Sequence, residues 1–245
     1  MSIATPGRVE LKHAVPEAVA AQALDWSRAF LGPDRGVPGL QRVTSLYLDS
    51  PELTFYQWHR QRRTHRFKLR VRGYGDQPAD RVFAEVKENA GHVRRKSRAE
   101  LPAAALAPFL ISGDRTLCGC ASGAAREEFT GRSRAYGARP TVLVSCMREA
   151  LRETEAAGEV AVTVDRRLVY QATARADLVA GPAGWRALML PVRPGPNLAI
   201  VELKYVDCPP AWMATLLRHL TPYRVSFSKY AAAVGQHEAW SQPNR

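Results

Sequence analysis

Apolar and polar positions alternate through much of this chain. Arg8 to Lys12, Phe67 to Arg72, Val82 to Lys87, Val142 to Arg148, Val160 to Asp165 and Leu198 to Tyr205 alternate in this way, which is the period of a strand with one covered face. Helical spacing appears from Pro16 to Leu31, where Val19, Ala20, Ala23, Leu24, Ser27 and Phe30 recur behind a proline suited to a first turn. Shorter helices are expected to begin at Ser50 and Pro51 and to cover Pro102 to Leu110, Pro210 to Leu220 and Ser228 to Trp240. The run from Ser112 to Pro140 mixes glycines, serines and charges without period and is read as a long irregular connection. The pattern predicts a β-rich fold with flanking helices. With 245 residues, 46% of them hydrophobic, it is expected to form one domain over residues 1–245.

Residues two apart on a strand share a face, so Lys68, Arg70 and Arg72 project together while Phe67, Leu69 and Val71 project the other way. The same parity groups Arg8 with Glu10 and Lys12, Glu85 with Lys87, Arg94 with Lys96 and Arg98, and Glu202 with Lys204. On any one strand this is an ordinary solvated face. Repeated over five segments it is something else, because like charges abreast on neighbouring strands repel. An anion inside a polar, basic lumen would offset that repulsion.

Composition agrees. Lys and Arg total 35 against 23 Asp and Glu, a formal charge of +12, which suits nucleic acid, an acidic membrane or phosphate alike. Phosphates match Arg through bidentate hydrogen bonds and Lys through point charge. Glu10, Glu85 and Glu202 among the cations read either as salt-bridge partners or as oxygen ligands for a divalent metal, manganese or magnesium. No aromatic stacking repeat, zinc finger or recognition helix marks a nucleic-acid binder. No GxxxxGK[ST] or GxGxxG loop is present, so a nucleotide would be held by side chains. The chain shows no leader and no apolar run of membrane-spanning length, so a cytoplasmic protein with no membrane span is expected. Cys118, Cys120, Cys146 and Cys208 read as reduced thiols, and the six histidines form no ligand pair.

The ordered set Arg8-Val-Glu10-Leu-Lys12, Tyr47-Leu-Asp49, Lys68-Leu-Arg70-Val-Arg72, Glu85-Val-Lys87, Lys96-Ser-Arg98, Glu202-Leu-Lys204 and Ser228-Lys229-Tyr230 resembles the VTC domain. That is the polyphosphate polymerase domain of the vacuolar transporter chaperone family, in the triphosphate tunnel metalloenzyme superfamily. The resemblance implies an α+β fold, an antiparallel β-barrel tunnel of about eight strands with a polar, basic lumen and flanking helices, in which ATP and a divalent metal, manganese or magnesium, bind among basic residues and phosphate passes to a growing inorganic polyphosphate chain. It implies catalytic roles for Lys229, Arg70, Arg72 and Lys87, and phosphate contacts from Arg8, Lys12, Lys68, Lys96, Arg98, Arg148, Lys204, Ser228 and Tyr230. Glu202 would be the metal ligand, with Glu85 and Glu10 as further candidates. Cys146, Ala161 and Ser226 depart from the family pattern, which thins the cationic lining. Hydrolysis of a triphosphate, or a catalytically weak sensor of polyphosphate or inositol polyphosphate, are the alternative outcomes for the same lumen.

Overall fold

The computed structural model describes residues 8–34, 39–76, 80–91, 93–111, 123–155, 158–182, 184–190 and 198–237. In chain order the elements are β1 (Arg8–Pro16), α1 (Glu17–Arg28), β2 (Gly32–Pro33), β3 (Gln41–Asp49), α2 (Thr54–Arg60), β4 (His65–Tyr74), β5 (Arg81–Ala90) and β6 (Val93–Pro102). A 3-10 turn then leads into α3 (Leu106–Ile111), α4 (Ala124–Ala135), β7 (Arg139–Glu155), β8 (Gly158–Ala172), β9 (Arg186–Ala187), β10 (Leu198–Val206), α5 (Ala211–Leu220) and α6 (Lys229–Gln236). The fold is α+β, an antiparallel sheet flanked by helices, and the chain divides into two compact units to which β7 and β8 both contribute.

In the first unit β1, β10, β8 and β7 are neighbours in that order. The register places Lys12 opposite Glu202 and Glu10 opposite Lys204, then Glu202 opposite Thr163. One face supplies the core: Val15, Val162, Val164, Val201 and Leu203 pack with Leu24 of α1 and Met213, Leu216 and Leu220 of α5. The alternating signal therefore has its physical cause, since α1 and α5 cover the apolar face and leave the charged parity on the other. Helix α1 starts at Glu17 because β1 continues to Pro16, whose φ of −58° serves as the N-cap. Its buried Ser27 hydroxyl donates to the Ala23 carbonyl.

In the second unit the order is β7, β3, β4, β5, β6, and β6 has one neighbouring strand among the described residues. Leu69 and Val71 of β4, Val82, Ala84 and Val86 of β5, and Leu101 of β6 form a core with Phe55, Leu106, Phe109 and Phe129 from α2, α3 and α4. Helix α4 falls inside the stretch read as irregular. Its buried residues are Arg126, Phe129 and Thr130, so one large apolar side chain carries its inner face and the periodic signal is thin. Residues 112–122, including Cys118 and Cys120, lie outside the described residues. Strand β3 also escapes an alternation test, because Val43 to Asp49 are buried at every position, as in a strand covered on both sides.

Candidate functional site

The charged parity of the second unit forms a grid across four strands. Tyr47 of β3 pairs with Arg70 of β4, Arg70 with Glu85 of β5, and Glu85 with Arg98 of β6. One step along, Lys68 stands opposite Lys87 and Lys87 opposite Lys96, three lysines abreast, of which Lys96 is ion-paired to Glu85 of the adjoining row. One step the other way, Ser45 faces Arg72 and Arg72 faces Phe83.

Glu85 organises this grid. Its carboxylate is fully buried and accepts from Arg70 Nε at 2.7 Å, with Lys96 Nζ at 2.8 Å and Arg98 Nε at 3.8 Å. Burial alone would raise its pKa, but Arg70, Arg72 and Lys96 outweigh burial and hold it well below the usual carboxylate range. Burial likewise favours neutral Arg70, and Glu85 and Tyr47 reverse that, so its guanidinium stays charged. Burial lowers the Lys96 pKa, Glu85 opposes, and Arg70 adds to the lowering. Arg72 is buried and its Nε donates to Ser45 Oγ at 3.1 Å.

The start of α6 joins the same unit. Ser228 caps the helix, its Oγ accepting from Ala231 N at 3.3 Å, and the Lys68 ammonium donates to that hydroxyl at 2.7 Å. Lys229 is close enough to Tyr47 to act, with Arg70 and Arg72, against the burial that raises that phenol, leaving its pKa lowered. Tyr230 turns inward, 1% exposed, stacks on Tyr47 at 5.1 Å and donates to Asp49. The Asp49 carboxylate also accepts from the backbone N–H groups of Ser50, Phe55 and Tyr56. These donors favour its anion, yet burial prevails and raises its pKa.

A second cluster belongs to the first unit. Lys12 Nζ lies 3.2 Å from Glu10 Oε1 and 3.8 Å from Glu202 Oε2, and it donates to the Phe227 carbonyl at 3.2 Å. Lys204 Nζ holds the other Glu202 oxygen at 2.7 Å. Arg148 grips buried Asp165 bidentately, Nε at 2.6 Å and Nη2 at 2.8 Å. The Cys146 thiol lies 3.5 Å from the same carboxylate.

Glu10 and Glu202 fit a hard divalent ion. Their oxygens already share one cation, the Lys12 ammonium, and magnesium-type sites take one or two carboxylates and complete their shell with phosphate oxygens and water. Among the described residues no group of three or more Asp, Glu, His or Cys collects, so the remaining ligands would come from substrate. Glu85 fits less well: it is fully buried and both of its oxygens are held within 2.8 Å, by Arg70 and Lys96, whereas the Lys12 ammonium stands 3.8 Å from Glu202 Oε2.

Of the residues singled out from sequence, Lys68, Arg70, Arg72, Glu85, Lys87, Lys96, Arg98, Ser228 and Lys229 thus gather in the second unit. Lys12, Glu10, Glu202, Lys204 and Arg148 gather in the first. Arg8 lies in β1 opposite Val206, and its side chain is outside the described set. Tyr230 is corrected from a phosphate contact to an anchor, since its hydroxyl is spent on Asp49. Sequence reasoning missed Asp49, Asp165 and Phe83 as site residues. Phe83 carried a signal, sharing the parity of Glu85 and Lys87.

Comparison with known proteins adds three findings. Residues 8–237 match the family described as the VTC domain. No curated protein matches the chain. Among solved structures, a putative adenylyl cyclase from Hippeastrum, described as having a dominant triphosphatase activity, is similar over 91% of this chain and 93% of that chain, at 12% identity and a TM-score of 0.45.

Proposed function

The chain belongs to the VTC domain family, and from that premise we propose that it transfers phosphoryl groups from ATP to make or extend inorganic polyphosphate, with a divalent metal. The observation that carries this reading is the row Lys68, Lys87 and Lys96, abreast on three paired strands beside Arg70 and Arg72. Facing like charges repel across a sheet, and a chain of phosphates laid along this row would meet several cations at once.

Phosphoryl transfer asks mainly for positioning and neutralisation, because the charge develops on the transferred group itself. Arg70 and Arg72 present planar donors to phosphate oxygens, and Glu85 fixes the Arg70 guanidinium from behind. Lys87 and Lys229 hold the acceptor phosphate in line. That acceptor is already ionised, so the reaction needs no general base. In the first unit Lys12, Lys204 and Arg148 add positive charge around Glu10 and Glu202. A manganese or magnesium ion bound by those two carboxylates would supply further neutralisation of phosphate oxygens.

The test is incubation of the purified protein with ATP and manganese, with products resolved on a gel and free phosphate measured. A ladder of polyphosphate is the expected result. Free phosphate without a ladder would replace polymerase by hydrolase. Bound polyphosphate with neither product would make the protein a sensor, the reading favoured by Ala161, which sits 1% exposed opposite Lys204 where a basic residue is common in the resemblance.

A further inference from the structure

The charged face of the second unit carries two aromatic rings that its apolar core does not use. Phe83 shares parity with Glu85 and Lys87, and Tyr74 with Arg72 and Arg70, so both belong to the charged side of the sheet. Both are half-buried. Their centroids lie 5.8 Å apart at an interplanar angle of 70°. The Arg98 guanidinium sits 3.5 Å over the Phe83 ring and 5.7 Å from that of Tyr74. Its Nε and Nη2 are buried without a hydrogen-bond partner among the described residues. Two rings and a stacked guanidinium thus end a face that carries Lys68, Arg70, Arg72, Lys87 and Lys96.

The two rings offer a bare phosphate chain nothing. The face of an aromatic ring is the negative part of its quadrupole, so a polyanion gains nothing by lying on it. A planar, uncharged ring gains a great deal, because bases stack on aromatic side chains and on Arg planes whatever their sequence identity. The spacing also suits a nucleotide. Four residues separate Phe83 from Lys87 along β5, about 13 Å at roughly 3.3 Å per residue, comparable to the reach from base to terminal phosphate in an extended nucleoside triphosphate.

We propose that Phe83, Tyr74 and Arg98 form a base-stacking subsite for the nucleoside end of a nucleoside triphosphate, whose phosphates run along β5 toward Lys68, Lys87 and Lys96. The proposal rests on the reading that this face binds a triphosphate and specifies which end of the donor lies where. Stacking of this kind recognises a planar base without a hydrogen-bond code, so purine triphosphates bind with little discrimination among them. Inorganic tripolyphosphate uses the cationic rows alone.

The experiment compares ATP with inorganic tripolyphosphate by calorimetry on the full chain, wild type against Phe83→Leu, Phe83→Tyr and Lys87→Ala. Phe83→Leu keeps an apolar side chain and removes the π face. It is expected to weaken ATP about 5- to 150-fold, the equivalent of about 1–3 kcal/mol for one stacked base, and to leave tripolyphosphate within about 2-fold. Phe83→Tyr restores ATP affinity, and Lys87→Ala weakens both ligands. Equal loss of both ligands in Phe83→Leu would show the ring to be a structural support for Arg98 and overturn the subsite, as would no loss of either. Binding of tripolyphosphate but not ATP by wild type would overturn it too, leaving the phosphate site standing. If wild type binds neither, the phosphate-site reading fails and the subsite fails with it.

Discussion

Glu202 and Arg72 separate the two kinds of polar work in this protein. Glu202 lies between Lys12 and Lys204, and as a carboxylate it meets substrate phosphates only through a cation. Glu202→Gln is therefore expected to raise the manganese concentration needed for half-maximal turnover while tripolyphosphate binding in chelator stays largely intact. Arg72→Ala should weaken that binding more than tenfold, since a charged hydrogen bond contributes about 1.5–3 kcal/mol. Metal titration and calorimetry on both variants check this, and an unchanged metal requirement in Glu202→Gln would return Glu202 to a plain salt-bridge role. Glu85 has a structural signature instead. Its folded-state pKa is depressed from an ordinary 4.5, so its contribution is complete above the unfolded value and is lost as pH falls through the folded one. Glu85→Gln should cost about 3–5 kcal/mol at neutral pH, because Arg70 loses its buried partner. The gap between variant and wild type should narrow on acidification below about pH 4.5, and urea melts across that range would show a constant gap if the ion pairs contribute nothing.

Among the elements, α6 is held at both ends by tyrosine hydroxyls, Tyr230 donating to Asp49 and Tyr170 to the Gln236 carbonyl. Ser228 caps and Lys229 opens a helix of 8 residues, too short to be stable alone, and Tyr230 ties it to Asp49 and, through that carboxylate, to the start of α2. Tyr230→Phe is expected to lose about 1–3 kcal/mol and to weaken tripolyphosphate binding several-fold through a loosened Lys229. A melt that shifts with no change in affinity would confine Tyr230 to stability. The elements that were legible in the sequence are those with one covered face. In β4 and β5 the alternation of Leu69 and Val71 with Arg70 and Arg72, and of Val82, Ala84 and Val86 with Phe83, Glu85 and Lys87, maps directly onto core and charged sides. Strand β3 did not show itself because Thr44, Ser45 and Asp49 are buried along with Leu46 and Leu48, their polar groups satisfied by bonds such as Thr44 to Ser145 at 3.1 Å. Parity placed the cations of the site but could not reveal which were already spoken for. That Arg148 is committed to Asp165 and Tyr230 to Asp49 depends on contacts 17 and 181 residues apart in sequence.

For the molecule as a whole, a charge of +12 opposes compaction and attracts anions at once. Raising salt from about 0.1 M to about 1 M shortens the screening length from about 10 Å to about 3 Å. Tripolyphosphate affinity should then fall while the melting temperature of the ligand-free protein rises. The buried pairs Arg70 with Glu85 and Arg148 with Asp165 are little screened, and the exposed repulsion is what salt relieves. A melting temperature that falls with salt would mean that surface ion pairs such as Arg95 with Glu88 dominate stability. Among the described residues no helix is long and apolar enough to cross a membrane. The lysine row has a consequence for covalent chemistry as well. Lys96 is lowered in pKa by burial and by Arg70, and is still 43% exposed, so near neutral pH it offers more free amine than an ordinary lysine. An acylating reagent at limiting dose should mark Lys96, with tripolyphosphate shielding it, and peptide mass spectrometry would report both the modification and the protection.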